Sequence, residues 1–159
     1  MDLDLLIKHG TVVTMNGTFD ILNNGAIGIR NGKIAAVGAT DKLENDYEAD
    51  DTIDASDRIV LPGLINTHVH VSDILSRGLG KQRELHDWML NAKRPFVEAM
   101  DVADHGIAST LYCYEAMTSG ITTFVENAGA TGKGYDRDVI ERKMQVYEDA
   151  GLRNIYAHG

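Results

Sequence analysis

Over residues 1–60 the hydrophobic and polar positions alternate in short runs broken by turn residues. "LLIKHGTVVTM" places β-branched residues on both sides of His9-Gly10. "GAIGIRNGKIAAVG" is two short runs about Asn31-Gly32, a dipeptide that favours a two-residue hairpin turn. The polar stretch "TDKLENDYEADDTIDASD" reads as a surface loop. Together these predict a small all-β unit over residues 1–60.

After Pro62 the pattern changes. "GLINTHVH" is a short apolar run suited to a strand buried on both faces. Leu85, Trp88, Met89 and Ala92 then fall at helical spacing, and Pro95 closes that segment. Ile107, Leu111, Tyr114 and Met117 make a second helical stripe that ends at Gly120, a residue suited to the position just past a helix. "ITTFVEN" is a second buried strand. Ile140, Met144 and Tyr147 form a third stripe, with Asp136 and Asp138 near its start and Gly151 past its end. "RNIYAHG" is a third strand.

Strand–helix–strand–helix–strand with buried strands predicts an α/β fold with a parallel sheet over residues 61–159. A closed (β/α)₈ TIM barrel needs about 250 residues. The chain has 159 in all, so the residues after Val60 suffice for about three of eight strands. The second unit is therefore either a small open α/β domain or the front piece of a barrel.

Composition narrows the chemistry. The chain is 43% hydrophobic and 25% charged, with a net charge of −9, ordinary for a globular protein. No cluster of Lys and Arg alternates with aromatics, so a nucleic-acid partner is not expected, since phosphate neutralisation dominates such binding. Cys113 is the single cysteine, which excludes an intrachain disulfide and a thiolate zinc site. The opening "MDLDLLIKHG" has too short an apolar run for a secretory signal or a membrane span. The expectation is a cytoplasmic protein without a membrane partner.

"LPGLINTHVH" carries the candidate chemistry. His68 and His70 close the first strand after Pro62, and i and i+2 side chains on a strand share a face. Two imidazoles at that spacing reach one ion at about 2.0–2.1 Å each, and barrel enzymes build their sites at strand C-termini. The alternative is a polar strand end that holds two histidines by chance. The Pro-Gly turn and the apolar run favour the metal site.

"VLPGLINTHVH" behind a β-rich segment resembles the amidohydrolase superfamily, in the branch of adenosine-type and cytosine-type deaminases and triazine hydrolases. Asn66 suits that branch better than the Asp usual in hydantoinases and dihydroorotases. The resemblance continues through "ILSRG", "LHDW", "LYCYEAMTSGITTFVEN" and "VYEDAGLRNIYA". These look especially like the atrazine chlorohydrolase and melamine deaminase group, and somewhat less like methylthioadenosine/S-adenosylhomocysteine deaminases. The resemblance implies that residues 61–159 are the first three β/α units of a TIM barrel. Residues 1–60 would then be part of a β-sandwich built from both chain ends.

The resemblance also implies one divalent ion, usually zinc, held by His68, His70, a later His and a later Asp, with a later Glu as acid and base. Those later residues are expected beyond this chain, which alone would be poorly folded and inactive. The implied reaction is hydrolytic deamination or dechlorination of a small N-heterocycle, by a protein expected to form homo-oligomers. Cyclic-amide hydrolysis, as in hydantoinase or imidazolonepropionase-like members, is the second reading. A non-catalytic module that binds metal or a partner is the third.

Further site candidates are less specific. The nucleoside deaminases carry a substrate-contacting Glu 27 residues past the second histidine; Val97 stands there, with Glu98 one step on. They carry an Arg at the end of the third barrel strand, where this chain has His158. Glu126 ends the second strand, as a functional carboxylate or as a structural one. Trp88 is read as core, with a ring-stacking wall as the alternative. His9, His86 and His105 are read as solvated, and Cys113 as an inert core thiol. "NAGATGKG" departs from a phosphate loop, because Asn127 stands in place of the first Gly and Gly134 in place of Ser/Thr; it is read as a flexible loop.

Overall fold

The structure is a computed structural model that describes residues 2–128 and 136–158, with His158 described by its backbone alone. It divides into two compact units, Met1–Pro62 and Gly63–Gly159.

The first unit contains β1 (Asp2–Val13), β2 (Ile21–Arg30), β3 (Lys33–Ala39), α1 (Thr40–Asp46), β4 (Glu48–Asp54) and β5 (Ile59–Val60). The strands form one sheet in the order β3-β2-β1-β4, with β5 also paired to β1. Asn31 and Gly32 turn β2 into β3 with φ of 51° and 68°, the two positive values that a type I′ hairpin requires. The ladder of β1 against β2 shifts register on both sides of Gly10, which is why the His9-Gly10 break interrupts the apolar run without ending the strand.

The segment expected as a loop is instead α1 and β4. β4 runs parallel to β1 from Asp2↔Glu48 to Lys8↔Asp54. Of its side chains only Ala49 is partly shielded, so "EADDTID" carries no strand-like apolar alternation. Backbone pairing to β1 makes it a strand. Leu3, Leu6, Ala26 and Leu43 form the core of this unit. An apolar groove of about 200 Å³ is bordered by Ile7, Val12, Ile27, Ile34 and Val60.

The second unit contains β6 (Leu64–Val69), a 3₁₀ segment (Val71–Ser76), α2 (Leu85–Trp88), a π segment (Met89–Lys93), α3 (Arg94–Ala99), α4 (Val102–Thr118), β7 (Ile121–Ala128), α5 (Arg137–Asp149) and β8 (Arg153–His158). β6, β7 and β8 are adjacent in that order and parallel. α4 and α5 are the crossovers that parallel neighbours require. Asp101 and Asp104 cap α4 reciprocally: each carboxylate accepts the other's backbone N–H, at 2.9 and 3.0 Å. Gly120, at φ 75°, releases the chain from α4 into β7.

Three expectations are corrected here, and the reading of α5 is extended. Pro95 does not close a helix; it falls in the first turn of α3, where a missing N–H is tolerated. The stripe Ile107, Leu111, Tyr114 and Met117 is exposed, and α4 buries His105, Ala108, Ser109, Tyr112, Cys113 and Ala116 instead. The small and polar residues of that face let it lie against the sheet, a choice that hydrophobicity alone does not reveal. α5 buries Val139, Lys143, Val146 and Tyr147, with Ile140 and Met144 half-buried. β6 is not buried on both faces: it is an edge strand of the three, with Leu64 and Ile65 exposed.

Phe124 on β7 is fully buried between Tyr112 of α4 and Tyr147 of α5, edge to face, with ring centres 4.8 and 4.9 Å apart. Such pairs contribute roughly 0.5–1.5 kcal/mol each beyond area burial. Among the described residues no helix is long and apolar enough to cross a membrane.

Candidate metal centre

A register shift places the two histidines. Asn66 pairs with Phe124 and Val69 with Glu126, so three residues of β6 are set against two of β7. Phe124 and Glu126 face the helices, as do Val69, packed in the core, and Asn66, whose Nδ2 donates to the Tyr112 hydroxyl at 3.1 Å. Strict alternation from Asn66 would turn His68 toward the helices as well. The irregularity rephases the strand and puts His68 and His70 together on the other side. Their rings meet edge to face with centres 4.9 Å apart, and both are exposed.

Asn127 on β7 holds both rings. Its backbone carbonyl accepts from His70 Nδ1 at 2.7 Å. A carbonyl only accepts, so Nδ1 carries the proton and Nε2 keeps its lone pair. Its side-chain amide lies 3.0 Å from His68 Nδ1. Among the described residues no third His, Cys, Asp or Glu joins the pair into a metal-binding group.

Glu126 lies behind the strand end, 1% exposed. It is bonded to Lys143 of α5, itself 2% exposed, and its second oxygen accepts from the Tyr147 hydroxyl at 2.6 Å. Burial first, then the Glu126 charge, push the Tyr147 phenol far above its ordinary value, so it stays protonated as a donor. Tyr147 in turn accepts from Ser109 at 3.2 Å. Lys143 also donates to Ser72 at 3.2 Å, and Ser72 lies 3.0 Å from His105 Nδ1. His105 is thus not solvated but 1% exposed, on the buried face of α4.

His105 was read as solvated, and Lys143 was not singled out in the sequence at all. A usable signal was present: Lys143 falls on one helical stripe with Val139, Val146 and Tyr147, and His105 with Ala108, Ser109 and Tyr112.

A cavity of about 30 Å³, enough for one water, is lined by His70, Ser72, Val97, Glu126, Asn127 and Lys143 among others. Val97 and His70 thus line the same cavity. Glu98 is exposed, accepts from Arg94 at 2.8 Å and does not line this cavity. Trp88 is half-buried, donates to the Leu79 carbonyl at 3.1 Å and lies 5.7 Å under Lys93 Nζ; it does not line this cavity. The backbone of His158 pairs with Ala128 at the end of β8. The loop "NAGATGKG" lies outside the described residues from position 129 to 134.

Cys113 is 2% exposed, and burial, followed by the Glu126 charge, pushes its thiol up to about 11. At pH 8 only about one thiol in a thousand is then the reactive thiolate. Iodoacetamide is expected to alkylate Cys113 at least ~100-fold more slowly in the native than in the denatured protein. Mass spectrometry of timed samples measures this, and equal rates would contradict the burial.

The parallel β6–β7–β8 arrangement agrees with the comparisons. The amidohydrolase family model matches residues 59–158, and the chain belongs to that family. It is 34% identical to a 5-methylthioadenosine/S-adenosylhomocysteine deaminase of Symbiobacterium thermophilum, over 98% of this chain and 33% of the relative. It is 31% identical to a 5′-deoxyadenosine deaminase of Methanosarcina barkeri, over the same shares of the two chains. Among solved structures, a zinc-bound adenosine deaminase from Xanthomonas campestris superposes with a TM-score of 0.86 at 26% identity, over 97% of this chain and 33% of that one. A mutant atrazine chlorohydrolase from Arthrobacter aurescens, complexed with zinc and atraton, gives 0.79 at 25% identity, over 96% and 35%. The fold is thus the N-terminal portion of the amidohydrolase barrel, and the chain spans about a third of the length of the curated relatives it matches.

Proposed function

We propose that this chain supplies two metal ligands, His68 and His70, to a hydrolase that removes an amino group or a chlorine from a small N-heterocycle. The observation that supports it most is the ring geometry. An ion about 2.0–2.1 Å from one nitrogen of each ring, at a tetrahedral angle, puts the ring centres roughly 5 Å apart; they are 4.9 Å apart. The His70 tautomer, set by the Asn127 carbonyl, leaves Nε2 available. For His68 the same holds when Asn127 presents Oδ1, since the two ends of an amide are interchangeable by rotation. The chemistry of the donor set fits zinc, for which neutral imidazole is a common ligand.

Bound there, a divalent ion would supply a water acidified to a pKa of about 7. His68 and His70 would hold it at the strand end, and Asn127 would fix both rings. The remaining ligands and the acid/base Glu would come from outside the described residues. Val97 gives an apolar wall where nucleoside deaminases place a carboxylate. That favours a ring without a ribose to be recognised, as in the triazines. The names of the relatives at 31–34% identity favour adenosine-type nucleosides, so both substrate groups belong in the test.

The zinc-loaded full-length polypeptide is to be offered methylthioadenosine, S-adenosylhomocysteine, melamine and atrazine, with ammonia and chloride release followed. Release from at least one is the expected result. Release from none, with opening of a cyclic amide such as hydantoin, would replace this reading by cyclic-amide hydrolysis. Asn127→Ala is expected to weaken zinc binding by about 10–100-fold, the usual cost of losing a partner behind a ligand. Titration against a chelating dye measures it, and an unchanged affinity would sink the positioning role of Asn127.

A further inference from the structure

A buried polar cluster of the second unit lies one residue from the proposed metal site and contributes no ligand to it. Lys143 is its hub. An ammonium only donates, and two of the Lys143 donations reach two different strand ends. One goes to Glu126, next to Asn127, which holds both imidazoles. The other goes to Ser72, two residues past His70, at 3.2 Å. The Ser72 hydroxyl also lies 3.0 Å from His105 Nδ1. The Tyr156 ring of β8 closes the other side, 5.6 Å from Lys143 Nζ.

Lys143 therefore ties the segment that follows β6 to the end of β7 through one part-buried and one buried hydrogen bond. The relative height of the two decides whether the Asn127 carbonyl meets His70. We propose that Lys143, through Ser72 and Glu126, is a positioning residue for the His68/His70 pair. It touches neither metal nor substrate. The inference rests on the metal reading above and adds to it a determinant on α5, 73 residues from His70 along the chain.

The network has a second end that serves as the control. Ser109 donates to Tyr147, which donates to Glu126; it reaches Ser72 only through Glu126 and Lys143. Ser72→Ala removes the tie to β6 and keeps the Lys143–Glu126 pair, whereas Ser109→Ala trims the same network away from the histidines. The experiment measures zinc affinity and the visible spectrum of the cobalt-substituted full-length polypeptide for both variants and for His70→Ala, with melting temperatures in parallel. The expected result is about a tenfold weaker zinc affinity and a shifted cobalt spectrum for Ser72→Ala. Ser109→Ala should keep wild-type affinity and spectrum even where its melting temperature falls. Wild-type affinity and spectrum in Ser72→Ala, or equal losses in both serine variants, would overturn the proposal. Wild-type zinc affinity in His70→Ala would overturn the metal reading itself, a separate outcome.

Discussion

His70→Ala is expected to lower zinc affinity of the full-length polypeptide by more than ~100-fold, and turnover with it. A partner behind a ligand is worth about 10–100-fold, so the ligand itself is worth more. The loss should be specific. His70 is exposed and, among the described residues, its ring bonds to a backbone carbonyl, so the melting temperature of the metal-free protein should barely move. Metal content by elemental analysis, set beside turnover and melting curves, separates the two effects. A variant that keeps one zinc per chain and full turnover would contradict the assignment of His70.

Lys143→Ala is expected to destabilise the fold by about 3–5 kcal/mol, because it strands the Glu126 charge in the interior. Both side chains are within 2% of complete burial. The reason lies in the unpaired ion, so removing both charges should undo most of the damage. Lys143→Met combined with Glu126→Gln keeps the volume, leaves a neutral acceptor for Tyr147, and should recover to within about 1–2 kcal/mol of wild type. Urea denaturation of the wild type, Lys143→Met, Glu126→Gln and the double variant gives the coupling energy directly. Simple additivity of the two single variants would show that the pair does not act as a unit.

How much of this was legible beforehand depends on which periodicity carried the information. The hairpin at Asn31-Gly32 and the parallel strands β6, β7 and β8 were readable, since turn chemistry and apolar runs specify them locally. β4 was not, because "EADDTID" becomes a strand only by pairing with β1, a partner more than forty residues away. The face of α4 was misread because its apolar residues point outward and its small residues inward. The histidine pair was legible as two residues on one face, yet the irregularity of β6 that turns this face away from the helices leaves no mark in the sequence. Glu126 was open between a functional and a structural role; its bonds to Lys143 and Tyr147 support the structural one, with an influence on the neighbouring site. Lys143 was hidden by its residue type, since lysine is almost never fully buried unless paired.

That His68 and His70 bind one divalent ion together is tested most directly by X-ray absorption at the zinc edge. The zinc-loaded full-length polypeptide is compared with its His68→Ala/His70→Ala variant. The expected wild-type spectrum shows imidazole nitrogens at about 2.0–2.1 Å, and the double variant should lose two of them or fail to retain zinc. An identical spectrum at full zinc content in the double variant would contradict it.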